Sequence, residues 1–330
     1  MCRLILFRFL LLMGASSALA DGVTQGLFHK LVWNEIRPSS LANDAIIADQ
    51  VRGPSLVDHD GESILMAGKN NIWRWSLMDG SVSRIAVPEE ASDGMSIVKA
   101  TSQFILVIGG RSGWVFSRKI KAWQRLSGAF EISCQPKQFA AVPHDDLGKV
   151  YVLTDCGHYL FFLESLQMVT LTKSVGFGFD RHPLPTISGL DGGALVPIGD
   201  RLMSLQFDGT RVREKLIYQA KSRIRGVVPS SRGYVAWTAQ ALIFFDRSLA
   251  RVQVVPVIGR RKIQAFASDE EHHLVLFSDG GVEVMQLSSQ MKWAGAGYFF
   301  ESASLVSGRR LAILSSDAGP PRVFSMITLR

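Results

Sequence analysis

The stretch Val150–Leu163, VYVLTDCGHYLFFL, reads as an apolar run, a polar turn at Asp155–His158 and a second apolar run. Val, Tyr, Leu and Phe in short blocks bounded by Asp, Gly and His are the composition of buried strands around a tight connection. The same unit recurs along the chain. Before it come SILMAG-KNN-IWRWSL from Ser63 and FILVI-GGRSG-WVFS from Phe104. After it come ALVPI-GDR-LMSL from Ala194, YVAW-TAQA-LIFFD from Tyr234, LVLF-SDGG-VEVMQL from Leu274 and LAIL-SSDAGPP-RVFSM from Leu311. Equivalent positions in the second runs are Trp73, Trp114, Tyr159, Leu202, Leu242, Val282 and Val323. Their successive spacings are 41, 45, 43, 40, 40 and 41 residues.

Each hairpin has two flanking segments of different character. After most of them, a short turn such as Asp79-Gly80 or Asp208-Gly209 leads to a polar alternating run, as in SVSRIAV, QMVTLTK and RVREKLI. Alternation of this kind suits a half-solvated outer strand. Before them lie segments of small and apolar residues, such as GMSIVKAT, RIRGVVPSS and ESASLVSG, which suit a crowded innermost strand. Repeats of this period with four short strands each predict an all-β fold, a seven-bladed β-propeller of four-stranded antiparallel blades. The fourth copy fits least well, because Pro183, Pro185 and Pro197 fall in or beside its strands. The seventh ends at Arg330 without an outer strand. The separate run Leu27–Trp33 is expected to supply it, so that an N-terminal strand closes the ring and covers an exposed sheet edge. Residues 38–50, with Pro38, Ser39 and Ser40, read as a connection.

Residues 51–330 resemble the seven-bladed β-propeller class in its broad WD40-like or quinoprotein-like sense. The resemblance is architectural. The chain has no Trp-Asp signature, Asp-box, kelch-like diglycine in each blade or repeated quinoprotein tryptophan motif. No cofactor is implied, and no family's site residues carry over.

Residues 1–20 read as a signal peptide. Arg3 is the positive leader, Leu4–Met13 the apolar run, and Ala18-Leu19-Ala20 the small-residue cleavage motif. The domain plan is therefore a signal at 1–20, a closing strand and connection at 21–50, and the propeller at 51–330. The expected location is periplasmic or extracellular. No later apolar run reaches 18 residues, so no transmembrane segment is expected in the mature chain.

Removing Arg3 and Arg8 with the signal lowers the net charge from +7 to +5. For an exported protein that balance points to acidic proteins or anionic envelope ligands and away from nucleic acid. Cys134 and Cys156 then remain, one disulfide or two free thiols. In a propeller, the loop before an inner strand and the turn between the middle strands share a face, so the two sulfurs can meet. A bridge closing that 22-residue loop is expected to stabilise by roughly 3 kcal/mol.

The same face carries Arg181, His182, Arg223, Arg225, Arg260, Arg261 and Lys262 on loops leading into inner strands, with Lys69 and Arg111 on middle-strand turns. Forked guanidinium donors suit carboxylate and phosphate. The bland alternative is a set of solvated charges, some paired with Asp180, Asp269 or Glu270. His144-Asp145-Asp146 and Asp269–His273 contain metal-ligand side chains but read as solvated turns on the opposite face. Asp155 and His158 read as a hydrogen-bonded turn or a small site. Asp58, His59, Lys99, Asp191 and Glu301 are scattered over the inner strands without a shared position. The leading expectation is a non-catalytic exported module that binds a partner protein or anionic ligand. The alternative is a propeller enzyme, a hydrolase or the structural subunit of a periplasmic dehydrogenase, with its site at the channel mouth.

Overall fold

The structure, a computed structural model, describes residues 29–51, 57–59, 62–92, 95–101, 103–109, 112–126, 139–143, 148–154, 157–173, 185–208, 211–257, 261–286, 292–296, 300, 302–306, 311–316 and 319–328. Seven small antiparallel sheets form a ring, the expected β-propeller. Blade 1 contains β2 (Val57–His59), β3 (Ser63–Ala67), β4 (Asn71–Ser76) and β5 (Val82–Ala86). Blade 2 contains β6 (Met95–Ala100), β7 (Phe104–Gly109), β8 (Ser112–Ser117) and β9 (Ala122–Arg125). Blade 3 is β10 (Phe139–Pro143), β11 (Lys149–Thr154), β12 (Gly157–Phe162) and β13 (Gln167–Lys173). Blade 4 is β14 (Ser188–Leu190), β15 (Gly193–Ile198), β16 (Arg201–Asp208) and β17 (Arg211–Gln219). In blade 5 these are β18 (Ile224–Ser230), β19 (Gly233–Thr238), β20 (Ala241–Asp246) and β21 (Val252–Pro256). Blade 6 has β22 (Ile263–Ser268), β23 (His272–Phe277), β24 (Gly281–Gln286) and β25 (Lys292–Ala296). Blade 7 has β26 (Ser302–Val306), β27 (Leu311–Ser316) and β28 (Gly319–Thr328).

The core is distributed between blades. Each apolar cluster joins two neighbours around the ring, as where Leu106, Ile108 and Val115 of blade 2 meet Val150, Val152 and Phe161 of blade 3. Middle strands touch a neighbour on both faces, which is why β3 and β23 are buried along their whole length. The outer strand β21 has one neighbour inward and water outward, and only its Val255 is buried.

The N-terminal strand β1 (His29–Ile36) completes blade 7 by antiparallel pairing with β28, from Leu31 opposite Thr328 to Ile36 opposite Val323. It also runs parallel to β25, with His29 opposite Trp293, so it ties blade 6 to blade 7.

The stretch expected as a plain connection contains a helix, α1 (Ser40–Ala48). Among the described side chains of this helix, Ile46 alone is fully buried, against Trp73, Trp75 and Val323, so no apolar stripe marks it. It stops where Gln50 takes a left-handed φ of 56°, a role usually given to glycine. Between helix and stop, Asp49 docks on blade 1. Its carboxylate accepts hydrogen bonds from Trp73 Nε1 (2.8 Å), Asn71 Nδ2 (3.1 Å) and the Asn70 backbone N–H (3.1 Å). Gly68 makes room: a Cβ there would lie 2.2 Å from Asp49 Oδ2. A second short helix, α2 (Glu89–Ser92), precedes blade 2.

In blade 4, Pro197 does not break its strand, which stays in register with β16. Its effect falls on the inner strand. Ser188 pairs with Leu195, so continuing that ladder would set Thr186 opposite Pro197, which has no N–H to donate. The chain leaves blade 4 there, and Thr186 pairs in parallel with Gly226 of β18.

Candidate functional site

In every blade the turn between the middle strands and the segment leading into the innermost strand emerge on one face, because successive strands alternate in direction. Of the cations expected at the site, the described ones lie on this upper face. Arg181, His182, Arg260, Arg111, Cys134 and Cys156 lie outside the described residues, as do His144, Asp145, Asp146, Asp155, Asp180 and Glu301. The described members are Lys69, Arg223, Arg225, Arg261 and Lys262, and they differ in what holds them.

Lys69 and Lys262 are exposed. Their backbones anchor turns: Lys69 N–H donates to Asp49 O at 2.7 Å, and Lys262 O accepts from Ser278 N–H at 2.9 Å. Arg261 is built into blade 6. Its Nη1 donates to Glu283 Oε1 at 2.8 Å and its Nε to Asp279 Oδ2 at 3.0 Å, while its guanidinium carbon lies 3.7 Å from the Phe277 ring centre. Gly281 is required beside it, since a Cβ there would come within 1.9 Å of Arg261 Nη2. Its partners are therefore Asp279 and Glu283, not Asp269 or Glu270.

Arg223 and Arg225 stand together where blade 5 begins. Arg225 spans to blade 6, its Nη1 donating to Ile263 O at 2.8 Å. Arg223 is half-buried, and burial together with the Arg225 charge holds its guanidinium below the ordinary value. Around this mouth, Ile224 N–H donates to Gly199 O and Ala220 N–H to Asp200 O, so the blade 4 turn buttresses the approach to β18. The nearby Asp200 carboxylate accepts from Gln219 Nε2 at 3.1 Å. A guanidinium held by a neutral acceptor keeps its charge and forked donors, which suit an oxyanion.

The histidine clusters resolve differently. His272 and His273 are not in a solvated turn; they open β23, and each is 5% exposed. Asp269 organises the turn before them, accepting from Glu271 N–H (2.8 Å) and His272 N–H (2.6 Å). Burial pushes the Asp269 carboxyl up, but these bonds and His272 outweigh it and leave it below its ordinary value. His273 bonds Ser268 Oγ at 2.8 Å between the Phe244 and Phe266 rings, and burial lowers it to about 4. His158 lies in β12, not in a turn. It hydrogen-bonds the hydroxyl of Tyr151, which stacks on Phe207 of blade 4, and burial lowers it also to about 4. All three are frame residues. Asp191 is in the turn after β14, on the lower face. Among the described residues no group of three or more His, Cys, Asp or Glu side chains is placed to hold a metal ion. Among them, too, no helix is long and apolar enough to cross a membrane.

No protein-family model matches the chain, and no curated protein matches it. Solved structures do. PorZ of Porphyromonas gingivalis, described as an essential bacterial surface component of the type-IX secretion system, matches with a TM-score of 0.60 at 6% identity. That match covers 85% of this chain and 39% of PorZ. Raptor of Chaetomium thermophilum gives 0.59 at 10% identity over 92% of this chain and 29% of its own. U3-55K gives 0.59 at 12% identity, covering 84% and 98%. At such identities the likeness is one of fold, and propellers serve many unrelated functions. The fold is one that supports binding and assembly in general.

Proposed function

We propose that the protein is an exported, non-catalytic binding or assembly module whose upper face holds an acidic partner protein or anionic envelope ligand. The observation that carries this reading is Arg225 at the start of blade 5, whose guanidinium is held by the Ile263 carbonyl oxygen, with the half-buried Arg223 two residues before it feeling its charge. Lys69, Lys262 and the exposed Lys221 extend positive charge over the same face. The Arg261 charge is answered within blade 6 and is left out of the binding set. Of the neighbours by fold, PorZ is described as a bacterial surface component of a secretion system, a setting compatible with assembly by such a ring. Export rests on the signal-like residues 1–20, and a Cys134–Cys156 disulfide would follow from it.

The test is affinity capture from the native envelope fraction over a salt series. The triple variant Lys69→Ser, Arg223→Ser, Lys262→Ser removes charge without touching the Arg225 and Arg261 contacts. The expected result is a reproducible partner that is lost at high salt and lost with the triple variant. Capture that is indifferent to both salt and variant contradicts the reading.

A further inference from the structure

Blades 1 and 2 repeat one constellation at the upper face. Of the seven equivalent middle-strand positions, Trp73 and Trp114 alone are tryptophan. Trp73 stands opposite Met66 and Trp114 opposite Val107, and two residues beyond those partners come Gly68 and Gly109. Asn71 and Ser112 each precede their tryptophan by two residues, so they share its side of the sheet. On the outer strands, Arg84 is the cross-strand partner of Trp73 and Arg125 that of Trp114. In blade 1 this place holds a carboxylate. Asp49 accepts there from Trp73 Nε1, Asn71 Nδ2 and the Asn70 N–H, in room that Gly68 leaves.

In blade 2 no described carboxylate fills the matching place. The Trp114 Nε1–H is buried and finds no acceptor among the described residues. A donor so placed costs about 1–3 kcal/mol, and native structures seldom keep one without a reason. Helix α2 leads into blade 2 as α1 leads into blade 1, but its Glu89 and Glu90 are exposed. Beside the indole, Arg125 Nη2 donates to Ser112 Oγ at 2.8 Å, and the guanidinium carbon lies 6.0 Å from the centre of the Trp114 ring. The hydroxyl orients Arg125 without answering its charge, and Arg125 is exposed, so a ligand can reach it from solvent. Register, hydrogen bond and ring contact thus put Ser112, Trp114 and Arg125 in one place.

Resting on the reading of an acidic partner above, we propose that Ser112, Trp114 and Arg125 form a subsite for one carboxylate, supplied by an acidic segment of a partner protein. It is the counterpart in blade 2 of the place that Asp49 fills in blade 1. Trp114 supplies the indole donor, as Trp73 does for Asp49, and Arg125 adds charge and forked donors. Free phosphate offers oxyanion chemistry from another source, and the experiment separates the two. It also tests Asp93, which lies outside the described residues and follows α2 in the chain as Asp49 follows α1.

The protein labelled with 15N is titrated at low salt with a short poly-glutamate peptide and, separately, with inorganic phosphate. The readout is the Trp114 indole N–H signal, assigned by its loss in Trp114→Phe. The expected result is a saturable shift with poly-glutamate, while the Trp73 signal, already bonded to Asp49, stays in place. Arg125→Ser then weakens binding by about tenfold, the worth of one charge-assisted hydrogen bond. Isothermal titration of Arg125→Ser with the same peptide reads the same loss should Trp114→Phe fail to fold. A shift with phosphate but not with poly-glutamate overturns the acidic-protein source. A Trp114 signal that ignores poly-glutamate but moves in Asp93→Ser gives the place to this chain's own carboxylate and overturns the partner. No shift with either probe, while envelope capture stays sensitive to salt and to the triple variant, overturns the subsite and leaves the face intact. No shift together with salt-insensitive capture removes both.

Discussion

Blades 5 and 6 present arginines to the same face of the ring, and the two sets behave in opposite ways. In blade 6, Arg261 is locked by two carboxylates and the Phe277 ring, and Gly281 is kept small to admit it. In blade 5, Arg225 is held by a backbone carbonyl, which orients the guanidinium without neutralising it, and Arg223 is brought beside it. The first arrangement spends its charge inside the frame. The second holds a guanidinium by a neutral acceptor. A basic loop is therefore not evidence of a binding surface until the partners of each cation are known.

That contrast between groups closed into the frame and groups left at the mouth makes separable predictions. The largest concerns the buried histidines. His158 and His273 are held near 4, against about 6.5 in an unfolded chain. As pH falls from about 6.5 to about 4 the unfolded chain takes up protons that the fold refuses, so stability declines through that window. The decline amounts to about 3 kcal/mol per histidine at most. Asp269, Arg232 and His272 act on His273, with Asp269 opposing the shift. Urea midpoints measured at neutral pH and at several points down to pH 4 should fall, and His273→Leu should remove about half of the slope. A flat profile would mean that these rings are hydrated in solution.

Next in size is the latch of the closing segment. Asp49→Ala strips the acceptor from Trp73 Nε1, Asn71 and the Asn70 N–H, and should cost about 2–3 kcal/mol as a lower urea midpoint with unchanged slope. A loss under about 0.5 kcal/mol would show that water replaces the carboxylate there. Because the latch stands on the upper face yet belongs to the frame, its loss should leave anion binding unchanged in the fraction that remains folded.

The ring itself was legible in the sequence because a propeller blade writes its strands as a period, and Trp73 through Val323 keep that period whatever the loops contain. The closing strand was legible as a remainder, an apolar run with no partner next to a last blade lacking its outer strand. Helix α1 was not, since it buries only Ile46 fully and stops at Gln50 rather than at a glycine. His272 and His273 were misread because they continue an acidic cluster without a break, and only register shows that the strand begins at His272. The partners of Arg261 were hidden by distance, 18 and 22 residues along the chain, although the acids around Gly280-Gly281 were the available sign. The close approach of Trp237 to Gly226 gave no sign at all, because only the folded blade sets the two together.

The most direct measurement of the central contrast compares Arg223→Ser with Arg261→Ser in one experiment that reads both stability and poly-glutamate binding. Arg261→Ser should cost about 1 kcal/mol of stability, moderated by the exposure of Asp279, and leave binding within about twofold. Arg223→Ser should weaken binding about tenfold, an effect that shrinks as salt rises. Equal binding by Arg223→Ser and the unmodified protein, or a greater loss of binding in Arg261→Ser, would contradict the account.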